Sequence, residues 1–286
     1  MARTAIVTDS TADLAPEVAA AAPIRVVPLY VRFGAEEFLA GVDLSTEQFW
    51  TRLLAPDAVI PATAAPSPGT FKETFEACFA EGAEAIVCAL IGSKLSATFQ
   101  SATLAAQMLP DREIHLIDTG STSMSTGIPA LLAAGLAADG TAAADIAAAV
   151  RERLPDIDLF VAVDTLEYLK KGGRLSPTQA AIGTLLSVKP IITVRDGIVV
   201  TAERPRTRGK ARERITELVT AAPLERLAIL HTPTSTREEV EAFRDGLVAR
   251  VPGGIDPAQV SIGLLGASTG PHLGPGLMGA AFLRRR

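Results

Sequence analysis

The stretch AIVCALIGSKLSATFQSA, residues 85–102, contains the pattern that decides the fold. Its seven apolar residues, 85–91, suit a strand that is buried on both faces, as in a parallel sheet. They run directly into a tip of glycine and hydroxyl residues, Gly92–Ser96, and a helix-like pattern follows. Two more apolar runs end in similar tips, at Thr8–Thr11 and Asp118–Ser121. This alternation predicts an α/β fold with a doubly wound parallel sheet.

The three tips are candidates for one ligand-binding site. The carboxyl ends of parallel strands converge on a crevice, and helix N-termini there present unpaired N–H groups that favour an anion. The tips therefore predict a ligand with a negatively charged or phosphate-like end. Taken alone, each tip favours simple helix capping, because Ser, Thr and Asp are ordinary N-cap residues. Only their recurrence points to a ligand.

Composition limits the class of protein. A chain of 286 residues suggests two domains or one large one. Its hydrophobic content of 48% with 5% aromatic residues fits an α/β protein with closely packed helices. The net charge of −5 offers no electrostatic basis for binding nucleic acid. The first residues lack a signal-peptide pattern, and the alanine-rich stretch Ile128–Val150 predicts two packed helices instead of a membrane span. We expect a cytoplasmic protein with no integral membrane segment, and transient contact with a membrane surface stays open.

The second half of the chain has a different pattern. A new unit begins with the apolar run Leu159–Val163, and Arg195-Asp196-Gly197 between two β-branched runs predicts a hairpin. We therefore predict a parallel-sheet domain over residues 1–157 and a mixed-sheet α/β domain over residues 158–286. In the first domain, the β-branched run at residues 25–33 predicts one strand, and the proline-rich segment at residues 61–69 predicts a loop.

Five segments together resemble the DegV family of bacterial fatty-acid-binding proteins. They occur in order along essentially the whole chain, and they are Ile6–Leu14, Thr63–Gly69, Leu95–Ala102, Leu166–Ser176 and Gly270–Gly276. The resemblance implies two α/β domains that enclose one long-chain fatty acid, with no other cofactor. It also implies a partner, a fatty acid kinase that phosphorylates the presented carboxylate to an acyl-phosphate, and hence a place in phospholipid metabolism. The protein itself would be a carrier and not an enzyme.

The resemblance also implies which residues bind the carboxylate. Thr63 corresponds to the hydroxyl residue of the family's proline-rich loop, and Ser96 to its serine at a helix start. Ala97 stands where the family usually has glycine, so its methyl group would narrow the approach to the backbone, and Ser93 is the reserve candidate. His272 lies in a segment that looks too rich in glycine for a helix. From the sequence a structural role is as consistent as a ligand role, and the family match favours the ligand.

Two arginines match basic positions that the family places near the mouth of the site. We assign Arg174 and Arg206 to the surroundings of the carboxylate or to docking of the kinase. The alternative for both residues is an ordinary arginine that is solvated at the surface.

Two enzyme classes are alternatives. Gly266–Gly270 fits the G-x-S-x-G pattern of a serine hydrolase around Ser268, but Pro271 and glycines follow instead of a helix pattern, and no acidic residue comes after it. We expect Ser268 to be a turn residue near the head group. A phosphotransferase would need a nucleotide site, and the chain contains no G-x-x-x-x-G-K-[ST] segment. The two cysteines and three histidines lack metal-ligand spacing, so no metal is expected.

Overall fold

The computed structural model describes residues 3–175 and 188–286. The strands are β1 (Thr4–Asp9), β2 (Ile24–Val27), β3 (Tyr30–Phe33), β4 (Glu36–Leu39), β5 (Ala62–Ala64), β6 (Ala85–Leu90), β7 (Glu113–Asp118), β8 (Ile157–Ala162), β9 (Ile191–Arg195), β10 (Ile198–Glu203), β11 (Leu224–His231), β12 (Val260–Leu264) and β13 (Met278–Arg284). The helices are α1 (Pro16–Ala21), α2 (Thr46–Leu53), α3 (Pro68–Ala80), α4 (Thr98–Gln107), α5 (Met124–Ala138), α6 (Ala143–Arg153), α7 (Glu167–Lys171), α8 (Arg208–Val219), α9 (Arg237–Val248) and α10 (Gly270–Leu273). Single 3-10 turns lie at Ser10–Ala12, Leu154–Asp156 and Pro257–Gln259.

The first sheet is parallel, in the strand order β2-β1-β6-β7. Every residue of β6 is buried, as the continuous apolar run predicts for a strand covered on both faces. Helices α3 and α4 pack on one face, and α5 and α6 pack on the other. The predicted parallel sheet is therefore confirmed.

The second sheet is mixed, in the strand order β10-β9-β8-β13-β11-β12, and only the β11–β12 pair is parallel. Its predicted hairpin is present, with Asp196 at φ 52° and Gly197 at φ 73°, the positive angles that a two-residue hairpin turn needs. Helices α8 and α9 cover its outer face. All its strands begin at or after Ile157. The division into domains at residue 157 stays a prediction.

Two predicted elements near the start of the chain were wrong. The run at residues 25–33 forms two strands in different sheets, because Pro28 has no N–H to donate and the Leu29 N–H donates to Ser10 Oγ at 2.8 Å. The proline-rich loop contains a strand, β5, which pairs with β3 in a small sheet of order β4-β3-β5. Prolines can flank this three-residue strand because it lies at the edge of the sheet. An edge strand leaves one row of N–H groups unpaired, so the missing N–H of a proline is tolerated there.

The segment around His272 is also different from its prediction. Residues Gly270–Leu273 form a short helix, α10, where we expect an irregular loop. Pro271 sits in its first turn, where no intrahelical N–H bond is lost, and Gly274 at φ 67° ends it. The segment that begins at Leu166 contains the short helix α7, which ends at Gly172. The last residue of the predicted Leu166–Ser176 segment, Ser176, lies outside the described residues.

The largest apolar core lies between the two sheets. It joins the inner face of the mixed sheet to helix α2 and to the start of α5, which packs against strands of both sheets. Helix α2 begins with a capping box of Ser45 and Gln48. One turn later, the Trp50 indole N–H donates to the Leu265 carbonyl at 2.7 Å. No described helix is long and apolar enough to cross a bilayer, and the cytoplasmic location stays a prediction.

Candidate functional site

Two adjoining cavities lie between the mixed sheet and the strand tips of the parallel sheet. The first comprises about 490 Å³ of space and the second about 330 Å³, in both cases including the part that is open to solvent. Thr122, Val199 and Leu273 line both, so the two cavities meet at these residues. The first cavity is lined by Thr11, Leu29, Thr63, Ile91, Leu95, Ser96, Thr122, Leu169, Arg174, Val199, Ser268, Thr269, His272 and Leu273. The second is lined by Thr122, Ser123, Leu159, Val161, Ile192, Thr193, Val194, Val199, Leu230, Leu265, Leu273 and Leu277.

The second cavity is mainly apolar, and strand alternation explains why. Leu159 and Val161 of β8 point to the inner face of the mixed sheet, whereas their neighbours Phe160 and Ala162 pack under α8 on the outer face. Ile192 of β9 continues the same inner surface. The cavity therefore offers a branched aliphatic surface to an apolar group.

The first cavity has a polar contact between two distant parts of the chain. Thr63 lies on the edge strand β5, and His272 lies in the short helix α10. The Thr63 hydroxyl and His272 Nε2 are 2.8 Å apart. The small sheet and the C-terminal segment therefore meet at one hydrogen bond beside the cavity.

His272 is neutral near pH 7. Burial, and secondarily the positive charge of Arg174, lowers the pKa of its imidazole to about 4. The other ring nitrogen, Nδ1, is buried and has no partner among the described residues. A buried lone pair without a partner is more common than a buried N–H without one, so we assign the ring proton to Nε2. The Nε2–H then donates to Thr63, and the Thr63 hydroxyl keeps its own proton for an acceptor in the cavity.

Ser96 brings a second hydroxyl to the first cavity. Its Oγ accepts the Thr98 N–H at 3.3 Å and lies 2.8 Å from Thr98 Oγ1. Helix α4 begins at Thr98 with Ala97 as its N-cap residue, so Ser96 lies just before the helix and not at its first position. The Ser96 hydroxyl still lies beside the first N–H groups of the helix.

Arg174 supplies positive charge at the same cavity. Its guanidinium donates to the carbonyl oxygens of Gly172 at 2.6 Å and of Leu95 at 3.2 Å. These bonds fix the side chain between the residues after α7 and the tip that follows β6. A carboxylate in the first cavity would therefore find a partly buried cation beside it, which strengthens its hydrogen bonds.

The structure does not bring all the candidate residues together. Ser93 is exposed and lines a separate cleft, where its backbone N–H donates to Asp118 Oδ1 at 3.1 Å. Ala97 is exposed and does not line either cavity, so its methyl group does not narrow them. Arg206 is also exposed and lines neither cavity. Thr63, Ser96, His272 and Arg174 do line the first cavity.

Sequence reasoning missed three further hydroxyl residues of the first cavity, Thr11, Thr122 and Thr269. Thr11 ends the first tip, and Thr122 directly follows the third, so the tips carried the signal for both. Thr269 belongs to none of the three tips. It lies near the C-terminal end of the sequence, and only the folded chain brings it to the first cavity.

The hydrolase alternative is not supported by the contacts of Ser268. A helical turn, α10, does follow the G-x-S-x-G pattern, so the expectation that none follows was wrong. The Ser268 hydroxyl, however, lies 2.6 Å from Ser10 Oγ, and the Nε2 of the nearby His272 is bonded to Thr63. A nucleophilic serine needs a base within hydrogen-bond reach, and this one is paired with another serine. Among the described residues, no three His, Cys, Asp or Glu side chains are grouped so that they could hold a metal ion.

Fold and cavities together define an α/β protein with a parallel sheet, a mixed sheet and two adjoining cavities, one with several hydroxyls in its lining and one mainly apolar. The chain belongs to the DegV family: the model of this family, described as uncharacterised protein, DegV family, matches residues 3–285. A DegV domain-containing protein of Streptomyces coelicolor is 34% identical over 98% of each chain. Protein DegV of Bacillus subtilis is 31% identical over 97% of this chain and 98% of its own.

Solved structures of relatives share the whole fold. The fatty-acid-binding DegV family protein of Thermus thermophilus has a TM-score of 0.88 at 32% identity, over 99% of this chain and 100% of its own. DegV of Bacillus subtilis, a fatty acid binding protein, has a TM-score of 0.87 at 30% identity, with both chains covered completely. The predicted two-sheet α/β architecture and the family resemblance are both confirmed.

Proposed function

We propose that this protein binds one long-chain fatty acid and presents its carboxylate to a fatty acid kinase. The observation that carries the proposal is the hydrogen bond between Thr63 and His272 at a cavity whose lining includes several hydroxyls and which adjoins a mainly apolar cavity. A fatty acid likewise consists of a carboxylate, which hydroxyls can bind, followed by an apolar tail. The fatty acid binding of relatives in Thermus thermophilus and Bacillus subtilis supports the proposal.

The carboxylate would bind to three side chains of the first cavity. The Thr63 hydroxyl donates to one carboxylate oxygen while it accepts from the neutral His272. Ser96 donates from the start of α4, whose exposed N–H groups favour an anion. Arg174 supplies the compensating charge. Several donors are needed because a carboxylate that leaves water without partners pays a large desolvation cost.

The acyl chain would supply most of the affinity. Each methylene group removed from water contributes about 0.8 kcal/mol, so about fifteen of them could contribute on the order of 12 kcal/mol before the costs of binding are subtracted. Val199 and Leu273, which line both cavities, would contact the chain where it passes from the first into the second. The carboxylate then fixes the direction in which the ligand enters.

Ligand identification tests the binding half of the proposal. The freshly purified protein is weighed by native mass spectrometry, and bound small molecules are then extracted under denaturing conditions and identified. We expect one fatty acid per chain. A protein that arrives empty and takes up neither saturated nor unsaturated long-chain acids would refute the proposal and favour a phosphorylated small ligand.

The carrier half is tested separately. Among the described residues, neither cavity lining includes an acid–base pair suited to chemistry on a carboxylate, and the sequence has no P-loop segment, so the partner kinase would perform the phosphorylation. The loaded protein is incubated with a bacterial fatty acid kinase and ATP, and acyl-phosphate is trapped with hydroxylamine. Product that requires both proteins supports the carrier role. ATP turnover by this chain alone would favour the phosphotransferase alternative.

A further inference from the structure

Asp13 is a fully buried carboxylate that lies outside the proposed ligand contacts. It follows the 3-10 turn Ser10–Ala12 and has a left-handed backbone, with φ at 50°. Its oxygens accept hydrogen bonds from the Gly266 N–H at 3.1 Å, from the Thr269 hydroxyl at 2.9 and 3.0 Å, and from the Ser123 hydroxyl at 2.6 Å. Within residues 3–175 and 188–286, no cation forms an ion pair with it. Three segments of the chain therefore meet at one carboxyl group that has no cationic partner among these residues.

Two of these donors bracket the turn that leads to His272. Gly266 and Thr269 are its ends, and the Thr269 carbonyl accepts the His272 N–H at 3.1 Å. Asp13 is thus two hydrogen bonds away from the backbone of His272. If the turn moved, the His272 ring would move with it and would leave the Thr63 hydroxyl.

The third donor, Ser123, lies in the wall of the second cavity. Ser123 has an unusual backbone, with φ 57° and ψ −148°, and directly precedes α5. A strained residue of this kind persists only where its surroundings determine its conformation. Ser123 lines the second cavity, and its neighbour Thr122 lines both. Asp13 therefore contacts Thr269, which lines the first cavity, and Ser123, which lines the second.

The space around the carboxylate is closely fitted. A Cβ atom added at Gly266 would lie 2.6 Å from Asp13 Oδ1, so only glycine leaves room for the oxygen there. Burial raises the pKa of Asp13 to about 7, and the three hydrogen bonds offset only part of this effect. Keeping an ionised carboxylate at this buried position therefore costs free energy. Uncharged side chains could link these segments if the role were purely structural.

We propose that Asp13 is a positioning residue for carboxylate binding, which holds the His272 turn and the Thr122–Ser123 wall in the arrangement that the ligand's head group needs. The inference rests on the proposed fatty acid binding and adds to it a residue that does not touch the ligand. A residue with this role acts on the head group and leaves the apolar contacts of the tail unchanged. A residue that only stabilises the fold would affect both parts of the ligand equally.

The test compares two ligands of equal length. Dissociation constants are measured for a sixteen-carbon fatty acid and for the sixteen-carbon alcohol, which has the same tail without the carboxylate. Asp13→Ala removes all three acceptor contacts, whereas Asp13→Asn keeps a carbonyl oxygen for Gly266 and Thr269 and tolerates the left-handed backbone. Thr269→Val and Thr269→Ser form a second pair, in which only serine keeps the hydroxyl. Leu247→Ala, in the core on the outer face of the mixed sheet, is the control for a general loss of stability.

We expect Asp13→Ala and Thr269→Val to weaken acid binding about tenfold or more, as for loss of one or two buried hydrogen bonds, and alcohol binding by less than about threefold. Asp13→Asn and Thr269→Ser should restore most of the acid affinity. Equal losses for acid and alcohol, or no loss in either pair, would overturn the inference. If Asp13→Ala does not fold, Gly266→Ala decides in the same way, because its Cβ would lie 2.6 Å from Asp13 Oδ1 and Gly266 lines neither cavity. A wild-type protein that binds neither ligand refutes the proposed function and the inference with it.

Discussion

Gly172 lies directly against the imidazole of His272. A Cβ atom added at Gly172 would be 2.2 Å from His272 Nδ1 and 3.0 Å from its Cε1. Gly172 is also the C-cap residue of α7, so the end of this helix seats the ring. The orientation of His272 is therefore set on one side by packing and on the other by its hydrogen bond to Thr63. This contact also couples the binding site to the segment that carries Arg174.

Gly172→Ala should therefore weaken fatty acid binding. Its backbone φ of −73° is compatible with alanine, so the effect comes from the contact and not from the backbone. The ring must move away from Thr63, and we expect about a tenfold loss of affinity or more, the cost of one disrupted buried hydrogen bond. Gly246→Ala in α9 is the control, because its Cβ would meet nothing within 4 Å. That variant should keep wild-type affinity and gain slight stability from helix propensity. Unchanged binding by Gly172→Ala would mean that the ring has room to adapt.

The two proposed hydroxyl donors can be removed singly. Thr63→Val keeps the shape of the side chain and Ser96→Ala keeps the backbone, and each leaves one carboxylate oxygen short of a partner. We expect each change to weaken acid binding by about 1–3 kcal/mol, with a much smaller effect on the alcohol of equal length. Isothermal titration with both ligands measures the difference. Full acid affinity in both variants would remove Thr63 and Ser96 from the head-group site.

Strong local patterns made the fold readable from the sequence. The run of seven apolar residues at 85–91 favours a strand covered on both faces, and Asp196-Gly197 favours one tight hairpin turn. Strand β5 gave no such pattern, because three residues between prolines show no alternation and are held only by their partner β3. The helical turn at His272 was missed for a similar reason. Glycine and proline argue against a long helix but allow a single turn.

The site was less readable, because its contacts join distant residues. Thr63 and His272 are 209 positions apart, and only the closing of the mixed sheet over the strand tips brings them together. The family resemblance selected both residues without showing that they contact each other. Ser93 and Ser96 lie on one tip and look equivalent in the sequence. The turn between them directs Ser96 to the first cavity and Ser93 to a separate cleft.

The lowered pKa of His272 predicts a loss of stability in acid for the lipid-free protein. The folded state takes up the proton only near pH 4, whereas the unfolded chain takes it up near pH 6.5. Between these values the unfolded state binds more protons, so unfolding becomes easier as the pH falls. The contribution is on the order of 3 kcal/mol over this range. Urea unfolding of wild type and His272→Gln at several pH values measures it, and a constant difference between the two proteins would contradict the prediction.

The raised pKa of Asp13 predicts the opposite pH dependence of folding stability over nearly the same pH range. Its folded-state pKa is raised to about 7 from an ordinary value of 3.8, so the folded protein holds a proton that the unfolded chain has released. Stability from this group is greatest at acid pH and is lost as the pH rises through about 7. Relative to Asp13→Asn, wild type should lose on the order of 4 kcal/mol between pH 4 and pH 8. The stability of Asp13→Asn relative to wild type should therefore rise with pH over this range, and equal pH profiles for the two would show that Asp13 titrates normally.

Val199 tests whether the two cavities form one path for the acyl chain. It lies on β10, is buried, and lines both cavities at their junction. Phenylalanine at this position would fill the passage between the two cavities. Val199→Phe should therefore keep its affinity for short acids, whose tails end before the junction, and lose about tenfold or more for a sixteen-carbon acid, because overpacking or exclusion of part of the tail costs about 1–3 kcal/mol.

The adjacent residue offers a matched control. Val200 points to the opposite face of the same strand and is half-buried, so Val200→Phe adds the same volume away from the cavities. Its affinity should match wild type for acids of every length. The measurement is a titration of both variants with acids of eight, twelve and sixteen carbons. A uniform loss across all lengths in Val199→Phe would mean that the substitution disturbs the head-group site, and no loss at sixteen carbons would mean that the tail takes another route through the core.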